Sequence, residues 1–256
     1  MSGFEKKETG VLVVIPARYD SSRFPGKALA DLHGQPLIVR TAAAAARMLT
    51  ADEIVVATDD ERILGAVTAA GHVCELTGAH ATGTDRIGEV AARHDAGIIL
   101  NLQGDEPLLD PRDADALVEA LAGDMEADIV TCGHRFADPD LWRDPNAVKV
   151  VVDRRGRALY FSRAPIPGTF PGADADGSRL ALRHVGIYAF RRRALERFLA
   201  WERTPLEVAE GLEQLRALEN GLTIKVVTID RAPVGVDTPA DLDLVRRLWA
   251  EREAGT

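Results

Sequence analysis

The chain has 256 residues and a formal net charge of −9, so it lacks the broad positive surface needed to bind a phosphodiester backbone, which excludes nucleic acid as its main partner. Hydrophobic residues make up 46% and charged residues 28%, which excludes disordered and fibrous classes and leaves length for one core with an elaboration. Two cysteines, Cys74 and Cys132, form no C-x-x-C pair, excluding a disulfide framework or zinc site, and no apolar run is long enough to span a membrane. The first residues carry no apolar stretch of the signal-peptide kind, so a reduced, cytoplasmic setting is expected.

The first half alternates short apolar runs with helical stretches. Val11–Ile15 reads as a buried strand closed by Pro16 and a turn-rich segment. Ile38–Leu49, rich in alanine, reads as a helix and Glu53–Ala57 as the next strand. Thr58-Asp59-Asp60-Glu61 has capping-box spacing ahead of a helix over Arg62–Ala70. His72–Leu76 and Ile98–Leu102 follow as strands, Asp85–His94 and Asp110–Ala122 as helices. Such alternation predicts right-handed crossovers and an α/β fold: a doubly wound, mostly parallel sheet covered on both faces. From Ile129 the strands crowd together as Ile129–His134, Val148–Val152, Ala158–Ser162 and Val185–Phe190, with Asp153–Arg157 as a hairpin turn. This is a partly antiparallel elaboration at about 130–190 of a single domain spanning 1–256. Pro165–Ser178, rich in Pro, Gly and Asp, reads as a mobile loop. Helices over Arg193–Trp201 and Leu206–Asn220, a strand over Ile224–Thr228 and a helix from Pro239 complete the chain.

Chemistry concentrates after the first strand. Pro16-Ala17-Arg18-Tyr19-Asp20-Ser21-Ser22-Arg23-Phe24-Pro25-Gly26-Lys27 places three cations close together in an acidic protein, at the strand end where open α/β sheets bind ligands. Arginine supplies forked donors for phosphate oxygens, lysine a point charge, and Gly26 close backbone approach. The segment matches neither G-x-x-x-x-G-K-[ST] nor G-x-G-x-x-G, so charge pattern alone leaves a phosphate site and a solvated surface loop equally open. Asp105, in Asn101-Leu102-Gln103-Gly104-Asp105-Glu106-Pro107, closes an apolar strand and projects at the sheet's carboxyl edge. Asp237 precedes Thr238-Pro239, a sequence that reads as a helix N-cap. Arginine far outnumbers lysine, which occurs only at positions 6, 7, 27, 149 and 225.

The wording Ile-Pro-Ala-Arg-Tyr-x-Ser-x-Arg-x-Pro-Gly-Lys resembles the nucleotide-binding signature of the CMP-sugar-acid synthetase family, with the 3-deoxy-manno-octulosonate (Kdo) cytidylyltransferases the best match. The likeness continues in order through Ala57–Asp59, Gly83–Arg86, Asn101–Pro107, Pro145–Val151, Tyr160–Arg163, Arg183–Tyr188, Pro205–Arg216 and Gly235–Leu242. It implies a Rossmann-like, nucleotide-diphospho-sugar transferase-like fold, a homodimer, and a reaction in which CTP and an anionic acceptor give CMP-acceptor and pyrophosphate. The resemblance places Pro16, Ala17, Arg18, Ser22, Arg23, Lys27, Gly83, Thr84 and Gln103 around the nucleotide. It makes Asp105 and Asp237 ligands of Mg²⁺, with Thr238 taking the cap, and gives Arg18, Lys27, Asp105 and Asp237 the catalytic roles.

By the same resemblance Gln103, Arg163, His184, Tyr188, Glu213 and Gln214 surround the acceptor, and the 130–190 elaboration serves acceptor binding and dimerisation. Without it, His184 and Tyr188 read as core residues and Glu213 and Gln214 as the solvated face of a helix striped by Leu206, Ala209, Leu212, Leu215 and Leu218. The chain departs from the Kdo pattern at Gly168-Thr169-Phe170-Pro171-Gly172, where the family continues with an aromatic and charged residues that include arginine. This keeps a small phosphonate such as phosphonoformate open as the acceptor. A non-catalytic nucleotide sensor is the alternative from another class, whereas a dinucleotide-dependent dehydrogenase is disfavoured by the missing fingerprint.

Overall fold

The computed structural model describes residues 10–20, 23–171, 176–230 and 233–254. They form two compact units, residues 10–115 with 233–254, and residues 116–230.

In the first unit, β1 (Val11–Ala17) is followed by a 3₁₀ turn over Lys27–Leu29 and a small hairpin of β2 (Asp31–Leu32) and β3 (Gln35–Pro36). Then come α1 (Leu37–Ala45), β4 (Glu53–Thr58), α2 (Glu61–Ala69), β5 (Cys74–Leu76), α3 (Gly83–Ala91) and β6 (Ile98–Asn101), and α4 (Pro111–Ala122) begins in this unit and continues as part of the second. The strands lie in the order β6-β1-β4-β5, all parallel. Val11 to Ile15 are all buried, as expected of a strand covered on both faces. Ile38 and Ala42 of α1, Ile63 and Val67 of α2, and Ile87 and Val90 of α3 close the core.

In the second unit β7 (Ile129–Arg135), α5 (Pro139–Arg143), β8 (Lys149–Val152), β9 (Ala158–Ser162), α6 (Gly177–Leu180) and β10 (Ala181–Arg191) precede α7 (Arg192–Ala200), α8 (Pro205–Glu210), α9 (Gln214–Glu219) and β11 (Ile224–Thr228). Here β11 pairs parallel with β7, while β7–β10, β10–β8 and β8–β9 are antiparallel. Phe161, Ile187, Leu195, Phe198 and Leu215 are buried in this unit. The chain then returns to the first unit as α10 (Pro239–Ala254). The expected mixture of a parallel α/β core with antiparallel strands is present.

Three local expectations are corrected. The helix over Ile38–Leu49 ends at Ala45, because the amides of Leu49 and Thr50 turn to the Asp115 carboxylate at 2.9–3.1 Å. The cap of α2 is Asp60, whose carboxylate accepts from the Arg62 amide; Thr58 instead accepts from the Asp60 amide, too early in the chain to cap the helix. The helix over Leu206–Asn220 is two, broken where Gly211 takes a left-handed φ of 62° that ends α8. Gln214 is therefore buried rather than solvated, and Leu206 is 40% exposed rather than part of an apolar stripe. Among the described residues, no helix is long and apolar enough to cross a membrane.

Candidate functional site

The basic loop is held by its own backbone and by apolar anchors. Gly26 has φ 73° and donates its amide to the Tyr19 carbonyl at 2.9 Å; a Cβ there would lie 3.2 Å from the Tyr19 ring. The Arg62 guanidinium covers that ring, 3.4 Å from its centroid. Phe24 packs against Leu32, Leu37, Val236, Leu242 and Val245, the buried cluster that includes α10. Arg18 and Arg23 are exposed, and Ser22 lies outside the described residues.

The Asp105 loop is pressed onto the start of this segment. A Cβ on Gly104 would fall 2.7 Å from the Pro16 carbonyl oxygen, so that approach requires glycine. The Asp105 carbonyl in turn accepts from the Val236 amide at 2.9 Å, which brings Asp237 alongside. Lys27 Nζ reaches Asp105 Oδ2 at 2.6 Å and Asp237 Oδ1 at 3.4 Å, while Arg23 Nη2 meets Asp237 Oδ2 at 3.1 Å. Both carboxylates thus face one cationic nitrogen.

Asp237 does not cap α10. The Asp241 carboxylate accepts from the amides of Asp237 and Thr238, at 3.1 and 2.8 Å, and the Thr238 hydroxyl accepts from the Asp241 amide at 3.3 Å. Thr238 and Asp241 form a reciprocal box that satisfies the helix end. Beside Asp105, burial and the neighbouring carboxylate push the Glu106 carboxyl up to about 8, and its Oε2 has no partner among the described residues.

The pair Asp105 and Asp237 suits a hard divalent cation: both offer oxygen, and they converge on a common positive charge. No group of three or more His, Cys, Asp or Glu side chains among the described residues is arranged around a metal. Phosphate and water oxygens would therefore complete the shell, as is usual for Mg²⁺.

Of the remaining nucleotide candidates, Gly83 opens α3 and stands against Pro16, its would-be Cβ 3.5 Å from Pro16 Cγ. Thr84 and Ala17 are buried, and Gln103 is half-buried. Thr82 caps α3 with Asp85. Arg86, almost fully buried, binds Asp59 Oδ2 at 2.7 Å and the Thr77 hydroxyl, fixing the loop ahead of Gly83.

In the second unit, His184 and Tyr188 share β10 and their rings lie 5.4 Å apart, with Phe161 edge-on to His184 at 5.1 Å. Burial lowers the His184 imidazole to about 3, so it is neutral across the physiological range. Thr131 has one hydroxyl proton and the Ile187 carbonyl at 2.8 Å to receive it, so His184 Nε2, at 3.0 Å, donates to Thr131 and Nδ1 is left as an acceptor. Burial, with the Glu213 charge, raises the Tyr188 phenol well above its ordinary value. Gln214 has a buried Nε2 without a partner among the described residues. Arg163 donates through Nε to the Glu210 carbonyl and through Nη1 to the Pro145 carbonyl. In the departing segment Phe170 is 82% exposed, and Gly172 lies outside the described residues.

Arg86, Lys149, Glu210 and Asp241 do structural work around these sites that the sequence reading does not assign. Lys149 leaves a sequence signal as a rare lysine in an arginine-rich chain, and Asp241 leaves one in the capping-box spacing from Thr238.

The family described as cytidylyltransferase matches residues 12–224. A 3-deoxy-manno-octulosonate cytidylyltransferase of Geobacter metallireducens is 47% identical over 243 residues, 92% of this chain and 96% of that protein. The enzyme of the same description from Syntrophotalea carbinolica is 49% identical over 238 residues, 91% of this chain and 95% of its own. A solved structure of CMP:2-keto-3-deoxy-manno-octonic acid synthetase complexed with CTP superposes with a TM-score of 0.90 at 41% identity, over 95% of this chain and 99% of that one.

Proposed function

The chain belongs to the cytidylyltransferase family, and we propose that it transfers CMP from CTP to a Kdo-type sugar acid with release of pyrophosphate. The observation that carries this reading is the convergence of Arg23, Lys27, Asp105 and Asp237, two cations and two carboxylates drawn from three separate segments. A phosphate-holding loop beside a pair of hard oxygen ligands is what in-line nucleotidyl transfer requires.

An acceptor hydroxyl oxygen bonds to the α-phosphorus as the bond to the β-phosphate oxygen breaks; pyrophosphate carries off the electron pair, and the hydroxyl proton leaves to solvent. Arg18, Arg23 and Lys27 hold the β and γ phosphates and stabilise the negative charge of the leaving group. Pro16, Ala17, Gly83, Thr84 and Gln103 frame the nucleotide, with Ser22 supporting the loop. Asp105 and Asp237 would hold Mg²⁺, which when bound neutralises the triphosphate and lowers the pKa of the attacking hydroxyl.

Acceptor recognition is assigned to the second unit. Neutral His184 offers Nδ1 to a hydroxyl; Tyr188, Glu213 and Gln214 add polar contacts. Arg163 meets the acceptor's negative charge, since among the described residues its guanidinium contacts are two carbonyls, which leave that charge unneutralised. The proposed dimer uses the same unit, a reading supported by the exposed Leu159 of β9 and Val208 of α8. The protein works in the cytoplasm, a setting in keeping with Cys74 and Cys132 standing outside any disulfide.

Pyrophosphate release tests the reading with CTP, UTP and ATP against Kdo and phosphonoformate, with and without Mg²⁺. We expect release only with CTP, Kdo and Mg²⁺ together. Release with phosphonoformate alone would reassign the acceptor, and CTP binding without release for any acceptor would make the protein a nucleotide sensor.

A further inference from the structure

We propose that Lys149 and Glu210 are positioning residues that mount Arg163 for the negatively charged group of the acceptor. The inference rests on the assignment of Arg163 to the acceptor given above, and adds how that arginine is fixed.

Lys149 opens β8 and is fully buried. Its three ammonium donors are matched by three carbonyls: Asp144 at 2.9 Å, Ala147 at 2.7 Å and Arg163 at 2.5 Å. No carboxylate is among these partners. Removing an ammonium from water costs several kcal/mol, so holding a strand together is poor reason to place one here when valine or leucine would serve. Burial lowers the Lys149 pKa, in keeping with that cost. What the lysine gives in return is a fixed point between the 144–147 turn and the Arg163 carbonyl. Pro145, in that same turn, presents the carbonyl that accepts from Arg163 Nη1 at 3.2 Å.

Glu210, the last residue of α8, secures the other side. Its Oε2 accepts from the Arg163 amide at 2.9 Å and its Oε1 from the Ser162 hydroxyl at 2.6 Å. Its backbone carbonyl accepts from Arg163 Nε at 2.9 Å. Ser162 stands opposite Lys149 in the β8–β9 register, so the two mounts meet across one strand pair. The amide, carbonyl, Nε and Nη1 of Arg163 are all engaged. Lys149 and the Glu210 carboxylate bind the backbone of Arg163, and among the described residues its guanidinium meets carbonyl dipoles and no counter-ion. A pre-ordered and unneutralised arginine is what an anionic group can bind without first paying to organise it.

Steady-state kinetics of the full-length protein with CTP, Mg²⁺ and Kdo, on Arg163→Ala, Lys149→Met and Glu210→Gln, test the mount. The glutamine side chain would retain the size of the glutamate and lose one of its two acceptors. All three variants are expected to raise the KM for Kdo by about tenfold, the scale of one charge-assisted hydrogen bond, with the KM for CTP changed less than about twofold. If Lys149→Met does not fold, Glu210→Gln decides the matter alone. A raised Kdo KM in Arg163→Ala with an unchanged one in Glu210→Gln overturns the mount and spares the Arg163 assignment. An unchanged Kdo KM in Arg163→Ala removes that assignment and the inference with it. Equal rises for CTP and Kdo in Glu210→Gln would mark a general loss of structure and also overturn it.

Discussion

Asp237 carries a carboxylate that its own helix does not use. Thr238 and Asp241 satisfy the start of α10 between them, so Asp237 is left to Lys27 and Arg23. Capping and ligand binding are therefore separable by mutation. Thr238→Ala should lower stability by about 1 kcal/mol in chemical denaturation while turnover stays near that of the wild type. Asp237→Asn should do the reverse. Lys27→Ala and Asp105→Ala remove the centre of the cluster, and initial rates should fall by about a thousandfold or more with the far-ultraviolet circular dichroism unchanged. From sequence, Asp-Thr-Pro at 237–239 reads first as a cap, and only the family resemblance turns Asp237 to metal binding; the Asp241 contacts show that Thr238 and Asp241 satisfy the helix end. Asp105 follows an apolar strand at the sheet's carboxyl edge, and its metal role is taken from the family resemblance.

At the scale of elements, long and strongly patterned segments are legible and short ones are not. Val11–Ile15 is buried throughout and reads as a strand from composition alone. The β2–β3 hairpin has two residues on each side, too few to show a period, and escapes notice although His33 and Gly34 at its turn both have positive φ. The break at Gly211 is hidden by apolar residues at helical spacing on both sides of it. The acceptor candidates Glu213 and Gln214 depend on that break, because it starts a new helix and buries Gln214.

The end of α3 carries a pH-dependent element. His94 lies between Glu53 and Glu75, at 2.5 and 2.6 Å from its two ring nitrogens. Burial alone would lower its pKa, but the hydrogen bonds to Glu75 and Glu53 outweigh it and raise the value above the ordinary 6.5. Raised in the folded state, this pKa gives stability that is fully present below pH 6.5 and lost as pH climbs through the folded-state value. The Tm difference between wild type and His94→Gln should be largest at pH 6 and shrink toward alkaline pH. A difference that grew with pH would contradict the pairing.

At the scale of the whole molecule, the proposed division of labour between units rests on family likeness. Composition excludes nucleic acid and leaves a small-ligand protein; the change from alternating to crowded strands at Ile129 marks a second region. Nothing in the pattern of residues there names an acceptor. From sequence His184 and Tyr188 read as core residues, and their burial and ring contacts with Phe161 and Phe190 agree with that reading; the acceptor role is the proposal. The proposed dimer predicts that Leu159→Glu, on the exposed face of β9, converts the protein to a monomer in light scattering. An unchanged mass would move the interface elsewhere or remove it.

Phosphorus NMR of the purified protein with CTP, Kdo and Mg²⁺ bears most directly on cytidylyl transfer. The three triphosphate resonances should give way to one phosphodiester and to pyrophosphate in equal amounts, only when all three components are present. A spectrum in which CTP persists, or decays to CMP and phosphate without a new diester, would contradict the assignment.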